Sequence, residues 1–503
     1  MPNLFAYIVL YSWPLVAWLF FRNLPASRAM IWTYLLGYLF MPPAAAAFDL
    51  PLLPEVSKIE MASLATLLMV ILYHGFGALK LPKSRFMLII LALYIFGPIG
   101  TVLNNADALL TGNYPFVYVR PGHELTDIPA LLFQRLFDAL PFILAFSLLN
   151  RKENLREFLL VITAIASIHS LLVLFEIRFS PQLNMWVYGF FQHSWLQMIR
   201  GDGFRPIVFL YHALWVGFFL MITMASAISL WRHWGKDGEV NVTTSLHETY
   251  WFIAPRRPAY IYLLYALYAF GVLVLAKSLG PIMFGVAALV LLLVAPTRTI
   301  IWVASGIAAA VLAYPVLKLT GIWPEQQIIA AFNQLSPDRG FSFEYRMINE
   351  NLLLERAVEK PLFGWGGHAR SLFVSSTGGI LTIPDGGWVL SLGSYGFVGW
   401  FSQMSFMVAP IFYALYLRRA DKLDSYSPHI ATFALILSFN AVDMIPNDTM
   451  TLLTFILAGA LWSNLESVSQ DYRASKRHSR QHRKPILPYS EGDLDHPVLQ
   501  GHS

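Results

Sequence analysis

Residues 4–21, 86–103 and 261–276 contain no Lys, Arg, Asp or Glu. In hydrocarbon the backbone has no water to bond, so a segment of this kind must satisfy its own N–H and C=O groups, and a helix does so within one segment. Charged residues make up 13% of the 503-residue chain and hydrophobic types 56%. A water-soluble chain carries about a quarter charged residues, so the deficit points the same way. The expected fold is all-α: a polytopic transmembrane bundle of about a dozen spans, drawn at roughly 4–21, 30–47, 61–79, 86–104, 129–149, 157–177, 207–231, 260–276, 281–295, 298–316, 397–417, 430–444 and 448–464. The last two are short, and Met444-Ile445-Pro446-Asn447-Asp448 breaks the run between them, because proline ends or kinks a helix. The first stretch has no preceding Lys or Arg and no small-residue cleavage site, so it reads as a retained span. The chain has no cysteine, which excludes disulfides, thiolate metal sites and cysteine nucleophiles within it.

Charge orients the spans. With the N-terminus outside, the cytoplasmic turns hold Arg22 and Arg28, then Lys80, Lys83 and Arg85, then Arg151, Lys152 and Arg156, and later Arg232, Arg256, Arg257, Arg298, Arg418 and Arg419. This is the bias expected of a multi-pass protein of a bacterial inner membrane, with its N-terminus periplasmic and C-terminus cytoplasmic. The formal charge of +5 fits that bias, so nucleic acid is not an expected partner. Residues 1–468 form the bundle, and 469–503 read as a disordered basic cytoplasmic tail lying near anionic lipid.

The same orientation leaves three long segments outside, at 105–128, 178–206 and 318–395. Long loops on a rigid scaffold are where binding and catalysis concentrate. The third contains Ser342-Phe343-Glu344-Tyr345-Arg346, a helical patch over 343–359, then Lys360-Pro361-Leu362-Phe363-Gly364-Trp365-Gly366-Gly367-His368. Further on come Pro384-Asp385-Gly386-Gly387-Trp388 and Gly393-Ser394-Tyr395-Gly396-Phe397-Val398-Gly399-Trp400. The second segment holds Arg200-Gly201-Asp202-Gly203-Phe204-Arg205-Pro206.

An Arg-bearing helix, Pro-Leu-Phe-Gly-x-Gly, a polar residue and a Gly-x-x-Gly entering a span resemble the bacterial O-antigen polymerase and O-antigen ligase superfamily. So do the Arg- and Gly-containing second loop and the dominant outer loop near the C-terminus. The likeness covers about residues 130–465. It implies a membrane glycosyltransferase of surface polysaccharide (O-antigen or exopolysaccharide) biosynthesis. Such an enzyme moves an undecaprenyl-diphosphate-linked glycan onto a glycan or lipid acceptor, without metal or other cofactor, alongside other polysaccharide assembly proteins. Ligases of the superfamily carry His-Asn just before the Gly-x-x-Gly span, where this chain has Asp385-Gly386, and that departure implies a polymerase-like or an uncharacterised branch.

The residues fit that chemistry. A diphosphate leaving group is best held by arginine, whose planar fork matches phosphate oxygens and stays protonated. Arg200, Arg205 and Arg346 are the expected diphosphate ligands. An acceptor hydroxyl needs a base within hydrogen-bond reach, and Asp385, His368 and Glu350 remain open for that role. Each has an ordinary alternative: Arg346 a helix-surface pair with Glu350, Asp385 a turn residue, His368 a loop histidine, Arg200 and Arg205 interfacial snorkelling. Within or beside spans, Arg135 and Asp138, His169, Glu176, Arg178, Lys277 and the Asp443–Asp448 turn carry either reading. A transporter or flippase of lipid-linked glycans, or a non-catalytic part of an assembly machine, would share the spans. A transporter, however, should show an internal repeat or charged, broken helices through the middle of the bundle.

Overall fold

The computed structural model of the chain describes residues 1–43, 46–47, 54–113, 115–234, 259–335, 337–419 and 427–481. Its first span is a bent rod: α1 (Leu4–Tyr11) and α2 (Trp13–Asn23) break at Ser12, and Pro14 sits in the first turn of α2, where no N–H is needed. There follow α3 (Ala26–Phe40), α4 (Lys58–His74), α5 (Arg85–Leu103), a hairpin of β1 (Leu109–Asn113) and β2 (Phe116–Arg120), α6 (Asp127–Leu148), α7 (Lys152–Phe179), the short α8 (Leu183–Tyr188) and α9 (Trp195–Met198), and a minimal hairpin of β3 (Ile199–Arg200) and β4 (Gly203–Phe204). The chain continues through α10 (Ala213–His233), α11 (Tyr260–Leu275), α12 (Leu279–Val294), α13 (Thr297–Leu319), α14 (Glu325–Leu335), α15 (Pro337–Val358), α16 (Gly387–Arg419), α17 (Ile430–Asp443) and α18 (Leu452–Gln481).

Among the described residues eight helical segments are long and apolar enough to cross a membrane, and α11, α12 and α17 are shorter apolar helices. The chain is a membrane protein built as a helical bundle. The most apolar part of α10 is 89% buried and that of α18 is 94% buried, against 28% for residues 4–23. The first two are central, and the N-terminal rod has most of its surface free to face lipid. Small residues set the close approach of the central helices: Gly459 lies against Phe142, and a Cβ there would fall 2.4 Å from the Phe142 carbonyl oxygen.

The two ends differ. At one, Glu466 accepts the backbone N–H groups of Lys83 and Ser84 at 3.0 and 3.1 Å, Arg28 pairs with Glu157, and Arg232 caps the carbonyls of Leu292 and Ala295. At the other, Asn3 donates to the Val187 carbonyl at 2.9 Å, Lys58 donates to the carbonyls of Tyr38 and Phe209, and the 105–128, 178–206 and 318–395 segments gather. The second is called the upper end below.

Inside the upper end a break in one helix organises the third segment. Within α16, Gly396 has φ +64° and ψ −164°, so the helix stops and restarts. The freed backbone groups are taken up by the Pro-Leu-Phe-Gly loop. Phe397 and Val398 donate to the carbonyls of Pro361 and Leu362, while Trp365 and Gly366 donate to those of Gly393 and Ser394 at 2.8 Å. Glycine is needed on both sides of this contact. A Cβ on Gly396 would meet the Leu362 carbonyl carbon at 2.3 Å, and one on Gly364 the Ser394 carbonyl carbon at 2.5 Å.

Several expectations are corrected. The bundle is helical as expected, and 109–120 adds an antiparallel hairpin with Leu109 opposite Arg120. The span expected from 397 starts there after the Gly396 break, and a further helical stretch from Gly387 precedes it. The tail expected from 469 continues α18 as far as Gln481: the run 469–481 has no proline or glycine to stop a helix already locked by Glu466. Residues 482–503 lie outside the described residues. The predicted helical patch at 343–359 is covered by α15 as far as Val358, and the Met444–Asp448 break separates α17 from α18.

Gly396→Ala is expected to cost on the order of 3 kcal/mol, because it adds strain at positive φ to a backbone clash. The readouts are thermal unfolding of the purified protein and its level in membranes. Gly271→Ala, where a Cβ meets nothing within 4 Å, is the control and should leave both unchanged. Equal behaviour of the two variants would show that the break is not packed as described.

Candidate functional site at the upper end

The second segment is held at both ends by one carboxylate. Glu176, in the last turns of α7 and fully buried, accepts the backbone N–H groups of Leu183 at 3.0 Å, Ile207 at 2.8 Å and Val208 at 2.7 Å. A buried carboxylate that takes three N–H donors is satisfied without a counter-ion. Between those anchors the chain makes the β3–β4 turn, with Gly201 at φ +54°. Lys277 donates to the Arg200 carbonyl at 3.0 Å, which braces the turn from the start of α12.

Arg205 leaves this segment buried, at 5% exposure, and its Nη2 donates to Ser278 at 3.1 Å. Its Nε is sealed from solvent with no hydrogen-bond partner among the described residues. Burial first, then the charges of Arg200 and Arg346, pull its pKa down to about 10. The charges of Arg200, on the same segment, and of Arg346, on α15, therefore act on Arg205. Arg200 is exposed and makes no ion pair among the described residues. Arg346, on α15, has Asp385 at 3.9 Å, the one carboxylate that approaches any of the three within ion-pair distance among the described residues.

Asp385 stands just before α16. The turn after α17 fixes that position: Gly387 donates to the Asn447 carbonyl at 2.9 Å and Trp388 to that of Met444. Its side chain is 46% exposed, so it is within reach of a solute. Burial pushes its carboxyl up from the usual range and Arg346 pulls it partly back.

Two histidines belong to the same cluster. His193 and His212 stand edge to face with ring centroids 4.6 Å apart. Burial first, then His193, Arg205, Arg346 and Arg200, hold the pKa of His212 down to about 3. No periodicity or spacing in the sequence marks them; their proximity comes from the Glu176 anchor, which folds 183–208 back over the start of α10.

The other expected residues sit elsewhere. Glu350 is not free to act as a base. It accepts from the Tyr314 hydroxyl at 2.6 Å and Trp388 Nε1 at 3.2 Å and has Lys318 at 3.3 Å, in a buried network joining α13, α15 and α16. His368 lies with the hairpin segment, its ring 5.3 Å from that of His123. His123, Asp127 and His368 bring ligand atoms within 4.8 Å of one another, close enough to hold a metal ion. The hydrogen bonds, however, give His123 a different task. Gly367 N–H donates to its Nε2 at 3.1 Å, so Nδ1 carries the proton and offers it to Asp127 at 3.0 Å. Both nitrogens are then engaged, and the trio reads as a tether for the loop that turns through His368 and Ala369 at positive φ. A second set of cations around this loop is likewise occupied. Arg370 donates to the Pro121 carbonyl, Arg120 to those of Ala369 and Leu372, and Lys360 to that of Asn104. Within the spans, Arg135 pairs with Asp138 at 3.7 Å and stacks on Tyr395, which is local neutralisation.

Glu176→Gln replaces one acceptor oxygen with an amide that faces N–H donors. Hydrogen bonds to a charged group are worth about 1.5–3 kcal/mol each, so amide exchange at Ile207 and Val208 should accelerate at least on the order of tenfold, with the amides in the middle of α10 unchanged. Unaltered exchange in the 183–208 segment would remove Glu176 as its anchor. Neither the protein-family models nor the curated proteins compared with this chain match it.

Proposed function

We propose that the chain is a membrane glycosyltransferase acting on glycans linked to a lipid diphosphate, with its upper end facing the periplasm. The observation that carries this reading is the pairing of Arg346 with Asp385 at 3.9 Å, together with the charges of Arg346 and Arg200 acting on the buried Arg205, beside a membrane-embedded bundle. Uncompensated arginines at a bilayer surface suit a donor whose lipid tail stays in the membrane and whose diphosphate sits at the interface. The acceptor hydroxyl oxygen attacks the anomeric carbon. The bond from that carbon to the diphosphate oxygen breaks, and the lipid diphosphate leaves with the electron pair, stabilised by the arginines. The hydroxyl proton passes to Asp385, which is exposed and lies beside Arg346. A single displacement of this kind inverts the anomeric centre. Asp385 takes precedence over His368, which lies with His123 and Asp127, and over Glu350, which is enclosed.

The test uses membranes with matched protein levels and a synthetic lipid-diphosphate glycan donor. Arg346→Lys should be nearly as damaging as Arg346→Ala, each on the order of a hundredfold in rate, because lysine keeps the charge and loses the fork. Asp385→Asn should abolish transfer while the donor still binds. A base works only when ionised. The wild-type rate should therefore be full above the pKa of Asp385 and fall as pH drops through it, at a higher pH than an ordinary carboxylate gives, in keeping with its upward shift. Retention of most activity by Arg346→Lys would remove the clamp, and an active Asp385→Asn would remove the base.

A further inference from the structure

We infer that His193 and His212 are part of the anion site as two neutral N–H donors, each locked in one tautomer by a backbone bond, and that neither accepts a proton during binding. The inference rests on the diphosphate reading given above. His212 is the N-cap of α10, and the N–H of Leu214 donates to its Nδ1 at 3.0 Å. The N–H of Ser194 donates to Nδ1 of His193 at 2.6 Å. A nitrogen that accepts a backbone N–H has its lone pair occupied, so in each ring the proton must be on Nε2. Among the described residues neither Nε2 has a hydrogen-bond partner.

The surroundings keep both rings neutral. His193 in the second segment is in ring contact with His212, and the charges that act on His212 are those of Arg205 and Arg200 on either side of the β3–β4 turn and of Arg346 on α15. Next to it in sequence, Tyr211 stands edge to face with Trp215 and carries Lys58 over its ring at 5.0 Å. Asp385 is engaged with Arg346. A second proton on His212 would have to displace the Leu214 bond and join three guanidinium groups. Burial first, then the neighbouring charges, depress His212 below its ordinary range; at His193 burial and Arg205 lower it against the opposing Ser194 backbone bond. A neutral imidazole N–H beside fixed cations can donate to a phosphate oxygen without adding to the charge repulsion of the empty site. The unpartnered Nε of Arg205 is a second, independent sign that the cluster is built around an anion.

The experiment measures binding of a short-chain isoprenyl hexosyl diphosphate diester to the full chain in nanodiscs. This probe has no group that titrates near neutrality. His212→Asn keeps the helix cap, because the asparagine oxygen also accepts the Leu214 N–H, but it withdraws the donor from the site. The dissociation constant should rise about tenfold for His212→Asn and more for the double variant with His193→Asn, the loss expected for a hydrogen bond to a charged acceptor. Thermal unfolding should be unchanged. Wild-type affinity should be flat from pH 5.5 to 8. Unchanged binding by His212→Asn would overturn the inference. So would a wild-type affinity that strengthens about tenfold per pH unit on acidification, since that is the slope for uptake of one proton. Failure of the wild type to bind at any pH would overturn the diphosphate reading and this inference together. Binding by Arg346→Ala as tight as wild type would remove the clamp alone.

Discussion

The Glu176 carboxylate carries more of the upper end than any other group. One buried charge at the top of α7 holds the beginning of α8 and the strand-like run before α10. Everything between them, including the β3–β4 turn, Arg200, Arg205 and His193, is positioned by that closure. The arrangement is economical for a loop at a membrane surface, where packing against a core is unavailable on one side. Three N–H donors replace the water that the carboxylate lost, and the same bonds fix a stretch of chain that has little regular structure of its own.

The upper end carries two cationic groups, and their hydrogen bonds separate them. Around the hairpin segment, Arg120, Lys360 and Arg370 donate to main-chain carbonyls and hold the 364–372 loop against residues 104–121. Their positive charge is directed at backbone oxygen. In the other group Arg200 has no ion pair among the described residues, Arg205 donates to the Ser278 hydroxyl, and Arg346 has Asp385 at 3.9 Å; a bare Nε is common to Arg205 and to Arg120 of the first group. Clustered guanidinium groups that satisfy so little of one another repel, and the cost persists unless an anion relieves it. Glu350 shows the contrasting outcome, a charge enclosed by Tyr314, Trp388 and Lys318 that serves to join three helices.

The spans were legible because charge is scarce where the backbone must be helical, and that constraint acts on each segment alone. The Pro446 break was legible for the same local reason. The 109–120 hairpin was not, since Leu109-Leu110-Thr111-Gly112 is too short and irregular to announce a strand and depends on its partner, Val117-Tyr118-Val119-Arg120. The run 469–481 misled because composition was weighed there, whereas continuation from a buried helix decides the outcome. Arg200, Arg205 and Arg346 stand out in the sequence by loop position alone; the structure sets Arg346 beside Asp385 and buries Arg205 against Ser278. The exclusion of Glu350 was not legible, because its partners Tyr314, Lys318 and Trp388 lie far from it in sequence, and a buried ion network leaves no periodic trace. His193 and His212 were missed for a related reason. A single histidine in an irregular segment is silent until the fold sets a second one against it.

The break at Gly396 ties the 361–366 loop to α16 by main-chain bonds alone. Residues 346 and 385, which approach each other to 3.9 Å, lie on either side of the 361–366 loop in the sequence. The order of synthesis therefore matters. A chain inserted only as far as α13 already presents Arg200 and Arg205 at the surface, yet it lacks the third guanidinium, the carboxylate and the junction that brings them into register. The arginine cluster is completed late, when the last third of the chain has entered the bundle, so an unfinished molecule holds only half of the arrangement.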